Sequence, residues 1–140
     1  MQIDPRGPRF AALLTTVVLA VALITGSGAL LAVQTVVFAL GAFLGLQYSP
    51  YGWLFRVAVR PRLDPPRELE DVRPPRFAQG VGFGFGTIGT VGYLLGADWL
   101  GQAATALALA AAFLNAAFGY CLGCEMYLLL HRTRIRLTQG

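Results

Sequence analysis

Positions 10 to 55 of the chain contain no charged side chain, and this feature limits the fold more than any other. A helix that crosses a bilayer needs about 20 residues, so the uncharged stretch is long enough for two crossings joined by a tight turn. Gly26, Ser27 and Gly28 are residue types that break a helix cheaply, and we place the turn there. The predicted spans on either side are 10–25 and 29–47.

A second apolar stretch runs from Phe77 to Leu130 and is interrupted only by Asp98 and Glu125. Asp98 lies in a glycine-containing segment, which predicts a second tight turn and two further spans. Composition agrees, because the chain is 13% charged whereas soluble domains carry roughly 25% charged residues. The prediction is therefore an all-α fold, a four-transmembrane-helix bundle forming one membrane domain over the whole chain. The third and fourth predicted spans are 78–97 and 100–122.

All eleven basic residues other than His131 are arginines, and their distribution predicts the orientation. In a four-span arrangement every arginine falls on one side, and neither turn on the other side carries one. The positive-inside rule makes the arginine side cytoplasmic, with both chain termini inside. Because the arginines flank apolar runs and do not form a stripe, the same pattern argues against a nucleic-acid partner.

The segment "DPRGPRFA" at 4–11 recurs as "DVRPPRFA" at 71–78. The recurrence argues against a cleaved signal peptide at the first copy, since the second copy cannot be a leader. It predicts a tandem duplication, with repeat one at 4–70 and repeat two at 71–140. Each unit crosses twice, so the two copies are parallel and related by an axis along the membrane normal.

A proline-rich segment, 48–77, connects the two pairs of spans and is predicted to be cytoplasmic. Its first part mixes Trp53, Phe55 and Val57 with arginines, as in an amphipathic helix at the headgroups. The remainder is expected to be extended and exposed. In the third span, glycines spaced by four predict close packing of helix backbones. The pairs concerned are Gly80/Gly84, Gly82/Gly86 and Gly92/Gly96.

Both cysteines of the chain stand three residues apart in "FGYCLGCEMYLLL". We place Cys121 and Cys124 on the last turns of the fourth span, where residues three apart share a helix face and Glu125 joins them. The cytoplasm is reducing, so the pair is not expected to be a permanent disulfide. A pair that cycles, carries sulfur or binds a soft metal remains open. We take Cys121, Cys124 and Glu125 as the candidate catalytic residues.

The end of a helix disfavours a thiolate, so this placement needs compensation from neighbouring elements. The first and third helices begin on the same side, and arginines stand at both starts. These arginines either anchor the topology or hold an anion or docked partner: Arg6, Arg9, Arg73 and Arg76. Asn115 and Tyr127 are supporting candidates. No cofactor and no metal site are expected from the chain's own ligands, and His131 has no partner ligand at helical spacing.

The chain resembles a small bacterial four-helix membrane family that is catalogued only as a domain of unknown function. The resemblance rests on segments such as "DPRGPRFAALLTTVVL" and "AAFLNAAFGYCLGCEMYLL", covers almost the full length, and is most specific at CLGC. The predicted four-helix architecture is also similar in outline to the DoxX-like membrane partners of thiol oxidoreductases. The resemblance implies a protein of the bacterial cytoplasmic membrane whose hallmark is the cysteine pair. It further implies a soluble partner, either a rhodanese-type sulfurtransferase or a thioredoxin-like protein.

Three functions follow as hypotheses. The first is a redox or persulfide relay through the cysteine pair, with Glu125 moving a proton and a small sulfur species passing the bilayer. The second is a carrier of Cu(I) or Hg(II), which two thiolates can hold. The third is a structural subunit of a membrane complex. A transport path through four short helices would call for a homo-oligomer.

Overall fold

The computed structural model describes residues 2–139, and within them almost all ordered structure is helical. The all-α prediction is confirmed. The six α-helices are α1 (Arg6–Thr25), α2 (Gly28–Ala39), α3 (Pro50–Leu54), α4 (Arg73–Leu94), α5 (Asp98–Phe118) and α6 (Leu122–Gln139). The π-helical turns Leu40–Leu44 and Phe55–Val59 continue α2 and α3, and two-residue strands are β1 (Gln2–Ile3) and β2 (Glu70–Asp71).

Four of the helices, α1, α2, α4 and α5, close into a ring in which α1 packs against α2 and α5, and α4 packs against the same two helices. The centre of the ring is filled by Leu19, Leu31, Phe38 and Ala108. Leu19 and Leu31 are completely buried. The other two helices lie outside the ring, α3 against α1 and α6 against α4.

Two of the helices, α1 and α5, are long and apolar enough to cross a membrane by length and composition. Gly28–Leu44 is a shorter apolar helix, and α4 is diluted by glycines and begins with arginines. Two of the four predicted spans therefore meet the requirements of length and hydropathy, and the other two do not.

The turns between the paired helices lie where glycine and serine predict them. Gly26 ends α1 in the left-handed region with φ 64°, and the Ser27 hydroxyl accepts a hydrogen bond from the Leu30 N–H at 3.1 Å, which caps α2. Gly96 adopts φ 80° between α4 and α5. At the opposite end α1 begins earlier than predicted, because the Asp4 carboxylate accepts a hydrogen bond from the Arg6 N–H at 3.0 Å.

Glycines of α4 bring it close to α2, as predicted for the pair Gly82/Gly86. A β-carbon on Gly82 would lie 2.7 Å from the Phe38 ring, and one on Gly86 would overlap the Thr35 hydroxyl. Gly84, by contrast, faces open space. The prediction that Gly80 and Gly84 form a packing pair was wrong, because the closely packed face follows the helix turn through Gly82, Gly86 and Gly89.

The connector is more ordered than its proline content suggests. Its first part is helical, and Phe55 is buried against Phe10 with the ring centroids 5.8 Å apart. Residues 63–69 are irregular and mostly exposed, as predicted. β2 then pairs antiparallel with β1, so the start of the chain and the end of the connector meet at the end of the bundle opposite the two turns.

Matching contacts recur at this end of the bundle. Arg9, at the start of α1, donates hydrogen bonds to the Ala116 and Ala117 carbonyls at the end of α5, both at 3.3 Å. Arg76, at the start of α4, donates to the Ala42 and Phe43 carbonyls after α2, at 2.6 and 2.8 Å. In each case an arginine satisfies the last carbonyls of a helix from the other half of the chain.

Candidate functional site

The cysteine pair follows an interruption of the helix, between α5 and α6, that the sequence pattern did not predict. α5 ends at Phe118, and Gly119 takes a left-handed conformation with φ 69° while its N–H donates to the Asn115 carbonyl at 2.9 Å. Glycine adopts this conformation without the steric cost that a β-carbon brings. Arg9 covers the carbonyls left open by the break. A new helix, α6, then begins at Leu122.

Cys121 stands immediately before α6 and Cys124 lies in its first turn. The Cys124 N–H donates to the Cys121 Sγ at 3.2 Å, and the Glu125 N–H donates to the Cys121 carbonyl at 3.0 Å. The Cα atoms of Cys121 and Cys124 are 5.1 Å apart, and the two sulfur atoms are close enough to form a disulfide. This is the geometry of a side chain that caps the start of a helix.

The prediction that the thiols sit on the last turns of the fourth span was therefore wrong. They begin a helix, and the sign of the helix dipole at Cys121 is reversed: a helix start favours a thiolate. The apolar stretch continues from α5 into the first part of α6, so only the two glycines of the segment signalled the break. Gly123 also allows a close approach, since a β-carbon there would lie 2.5 Å from the Cα of Ala78 in α4.

A cleft of about 500 Å³ opens beside the pair. It brings together six of the residues that the sequence singled out. They are Arg6, Arg9, Asn115, Cys121, Cys124 and Glu125. Its floor is completed by prolines from the starts of α1 and α4 and by Glu70 and Asp71 of β2.

The other predicted residues lie elsewhere. Arg73 and Arg76 line a different, open depression together with Ala42 and Phe43. Tyr127 packs against Phe77 of α4, with ring centroids 5.8 Å apart, and stacks on His131. It therefore supports the docking of α6 on α4 and is not among the residues that line the cleft.

The four arginines all have acceptors within the protein. Arg6 pairs with Asp4 at 2.8 Å, and Arg73 pairs with Asp71 at 2.7 Å. Hydrogen bonds from Arg73 lower the pKa of Asp71 to about 2, and those from Arg6 likewise lower the pKa of the buried Asp4. Since Arg9 and Arg76 are bonded to helix ends, an anion would have to compete with these partners.

A second, inner cavity of about 290 Å³ lies between the four helices of the ring and the start of α6, and it shares lining residues with the cleft. Sequence reasoning did not single out two of its polar residues, Thr15 and Gln79, although Gln79 is an amide within an apolar helix. Gln34 of α2 is fully buried and accepts a hydrogen bond from the Tyr51 hydroxyl at 2.6 Å. Its Nε2 donates to the Thr15 hydroxyl at 3.5 Å, so Gln34 joins α1, α2 and α3.

The protein is thus a ring of four helices followed by a further helix, α6, which begins at a CxxC pair. This defines a helical protein with a site of two neighbouring thiols. The chain belongs to the family described as a domain of unknown function, DUF4395, whose profile matches residues 3–132. No curated protein and no solved structure gives a significant match to it.

Proposed function

We propose that this protein is an integral thiol protein of the bacterial cytoplasmic membrane whose Cys121–Cys124 pair relays electrons or sulfane sulfur. One observation carries the proposal: Cys121 caps the start of α6, and the Cys124 N–H reaches its sulfur at 3.2 Å. A helix start stabilises the thiolate form, which is the nucleophile in thiol–disulfide exchange. A second thiol 5.1 Å away, measured between Cα atoms, is in place to resolve the mixed disulfide.

The cleft supports an exchange partner that arrives from water. Glu125 is exposed at its edge and lies one residue beyond Cys124, where a carboxylate can accept and return the proton of the leaving thiol. Arg6 and Arg9 also line the cleft. A soluble rhodanese-type or thioredoxin-like protein is the class of partner proposed for this cleft, and the exposed arginines of the connector are proposed to help to dock it.

Membrane placement is the second part of the proposal. The long helices expose large apolar side chains outward, for example Val33 at 60% and Leu107 at 59% exposure, and an apolar surface of this kind is stable in lipid. The starts of α1 and α4, the connector and the end of α6 carry all of the arginines, and the helix turns at the other end carry none. Four crossings with both termini in the cytoplasm place the thiols at the cytoplasmic face.

The matching contacts of Arg9 and Arg76 support an origin by duplication of a two-helix unit. Gly45, with φ 124°, follows the Arg76-capped helix, as Gly119 follows the Arg9-capped one. Gln47 occupies the place of Cys121 in repeat one. Under this proposal only repeat two carries a thiol site.

The experiment is a redox and sulfur titration of the detergent-purified protein, read by differential alkylation and mass spectrometry. We expect the pair to pass between dithiol and disulfide across glutathione buffers. With a sulfane donor we expect one added sulfur on Cys121. Cys121→Ser should abolish persulfide formation, whereas Cys124→Ser should retain it. Thiols that stay unmodified under both conditions contradict the proposal, and tight Cu(I) binding without cycling would favour the soft-metal carrier.

A further inference from the structure

Two cavities of different chemistry meet at Cys121. The cleft and the inner cavity share four lining residues, and Cys121 is the only cysteine among them; the other three are Pro8, Pro75 and Asn115. Cys124 lines the cleft but is not among the residues that line the inner cavity. The two sulfur atoms therefore differ in what reaches them. Cys121 is accessible from both sides, and Cys124 from the cleft.

The inner cavity admits a narrower class of ligand than the cleft. Its lining consists of alanine, leucine, phenylalanine and other apolar side chains with three polar ones, Thr15, Gln79 and Asn115, and it contains no charged side chain among the described residues. A charge moved into such surroundings without a partner is strongly disfavoured. A molecule that reaches Cys121 by this route is consequently small and uncharged.

One wall of the inner cavity faces outward from the bundle. Leu107 of α5 and Met126 of α6 line it and are 59% and 47% exposed. The deep end is closed by Phe38 and Ala108 of the central core. The cavity thus opens sideways, between α5 and α6, where the proposed membrane placement puts the hydrocarbon of the bilayer.

The geometry points to a lateral route by which small uncharged sulfur compounds of the hydrogen sulfide class pass from the bilayer through the inner cavity to Cys121. Charged thiols and soluble proteins use the cleft instead. Asn115, at the junction of the two cavities, is the amide that such a molecule would meet beside the sulfur. The biological use of this route rests on the proposed function, whereas the route itself is a matter of access.

The first step of the proposed reaction at Cys121 needs no further oxidant, because the Cys121–Cys124 disulfide is itself the oxidant. Hydrogen sulfide attacks the Cys121 sulfur of the disulfide, the bond to Cys124 breaks, and Cys124 leaves as a thiolate that takes up the proton. The incoming sulfur is oxidised to the sulfane level while the disulfide is reduced. A soluble thiolate in the cleft then removes the outer sulfur. A soluble protein disulfide reoxidises the pair by exchange.

The test uses the full chain in membrane vesicles with two variants, Cys124→Ser, which keeps Cys121, and Cys121→Ser, which keeps Cys124. Methyl methanethiosulfonate is the uncharged probe and its 2-sulfonatoethyl analogue is the anionic probe. We expect the ratio of uncharged to anionic labelling rates to be higher at Cys121 than at Cys124. Equal ratios at the two cysteines would overturn the lateral route.

A pair of alanine substitutions provides the matched control in the variant that keeps Cys121. Ala111 lines the inner cavity, and its neighbour Ala110 is exposed on the outer face of α5. Ala111→Phe should slow the uncharged probe about tenfold, equivalent to an added barrier of 1.4 kcal/mol, and leave the anionic probe unchanged. Ala110→Phe should change neither rate. Loss of both rates with Ala111→Phe would show that the fold has changed, and the ratio of the two single-cysteine proteins then decides.

The outcomes separate the route from the proposed function. Wild-type thiols that never cycle, together with a cavity that still gates the uncharged probe, would remove the function and leave the route. Cycling thiols whose labelling by both probes is insensitive to Ala111→Phe, in a protein that remains folded, would leave the function and remove the route.

Discussion

At the level of single residues, Gly119 has the greatest consequence for the site. Its left-handed conformation turns the chain between α5 and α6, and this turn places Cys121 at a helix start. A non-glycine residue at such a φ pays a steric penalty of about 1–2 kcal/mol. A side chain at position 119 would favour a continuous helix from α5 into α6, and Cys121 would then no longer lie at a helix start. The residue at this position therefore affects both the stability of the protein and the reactivity of the thiol.

We expect Gly119→Ala to lower the free energy of unfolding by about 1 kcal/mol and to slow alkylation of Cys121 at neutral pH. Gly26→Ala is the matched control, since Gly26 has a similar φ of 64° and faces open space far from the thiols. It should reduce stability by a similar amount and leave alkylation unchanged. Identical alkylation rates in the two variants would contradict the role given to Gly119.

The Asp4–Arg6 and Asp71–Arg73 ion pairs predict that stability depends on pH in the acid range. The pKa of Asp71 is about 2 in the folded protein, against 3.8 for an unperturbed carboxyl. A carboxyl whose folded pKa is depressed stabilises the fold above the unfolded value and loses that contribution as pH falls through the folded one. Thermal stability should therefore decline as pH falls from about 4 to about 2.

Asp71→Asn should flatten that decline, as measured by thermal unfolding at a series of pH values. Asp64→Asn is the control, because the Asp64 carboxylate is in no ion pair among the described residues. An acid-side profile for Asp71→Asn that superimposes on the wild type would contradict the assignment. Arg6 also lowers the pKa of Asp4, so the Asp4–Arg6 pair contributes stability that is likewise lost as the pH falls.

At the level of secondary structure, helix ends and helix contacts are stabilised by residues remote in sequence. Arg9 bonds to carbonyls 107 and 108 positions away, and Arg76 to carbonyls 34 and 33 positions away. Cations near a helix C-terminus contribute typically 0.3–1 kcal/mol at the surface, as a rough range. Only α5 leads into the thiol site. The hydrogen bonds from Arg9 to the end of α5 are therefore expected to affect the thiols, whereas those from Arg76 are not.

We expect Arg9→Gln and Arg76→Gln each to lower stability by about 0.5–1 kcal/mol. Only Arg9→Gln should also change the alkylation rate of Cys121, since it loosens the end of α5 next to the pair. The measurement is chemical unfolding combined with timed alkylation on the same samples. Equal effects of both variants on the thiols would show that the end of α5 does not control the site.

The contact between α4 and α2 predicts opposite effects at neighbouring glycines. Gly86→Ala places a methyl group on the Thr35 hydroxyl and should destabilise the bundle by about 1–3 kcal/mol, the usual cost of overpacking. Gly84→Ala meets open space and should be neutral or stabilising by about 0.5–1 kcal/mol, because alanine is the better helix former. Thermal unfolding in detergent measures both. The reverse order would contradict the packing face.

At the level of the whole molecule, the arginine-rich end and the arginine-free end distinguish the two sides of the bundle. β1, β2, the connector and the thiol cleft share one end, and the turns at Gly26 and Gly96 share the other. Four crossings follow if α2 and α4 span together with α1 and α5.

Cysteine labelling in intact bacterial cells tests this topology. In a protein with Cys121 and Cys124 replaced by serine, we expect Thr25→Cys, next to the first turn, to react with an impermeant maleimide from outside. Thr133→Cys, in α6, should react only after the membrane is opened. Outside labelling at Thr133→Cys would place the thiol face on the exterior and end the cytoplasmic relay.

The helical nature of the chain, its two tight turns and the nearness of the two thiols could be predicted from the sequence because they depend on composition and on spacings of a few residues. The recurrence of "DPRGPRFA" as "DVRPPRFA" is visible in the sequence for the same reason. The break at Gly119 could not be predicted in this way. The apolar stretch continues across it, and what stabilises the break is Arg9, more than 100 positions earlier.

Local pattern thus accounted for the four helices of the ring and for the choice of candidate site residues. Tertiary packing alone decided that Cys121 begins a helix, that Arg73 and Arg76 lie away from the cleft, and that a charged cleft and an apolar cavity meet at one sulfur atom. The physical reason is range. Helix formation and turns respond to neighbours within a few residues, whereas caps and cavities form where surfaces from distant parts of the chain come together.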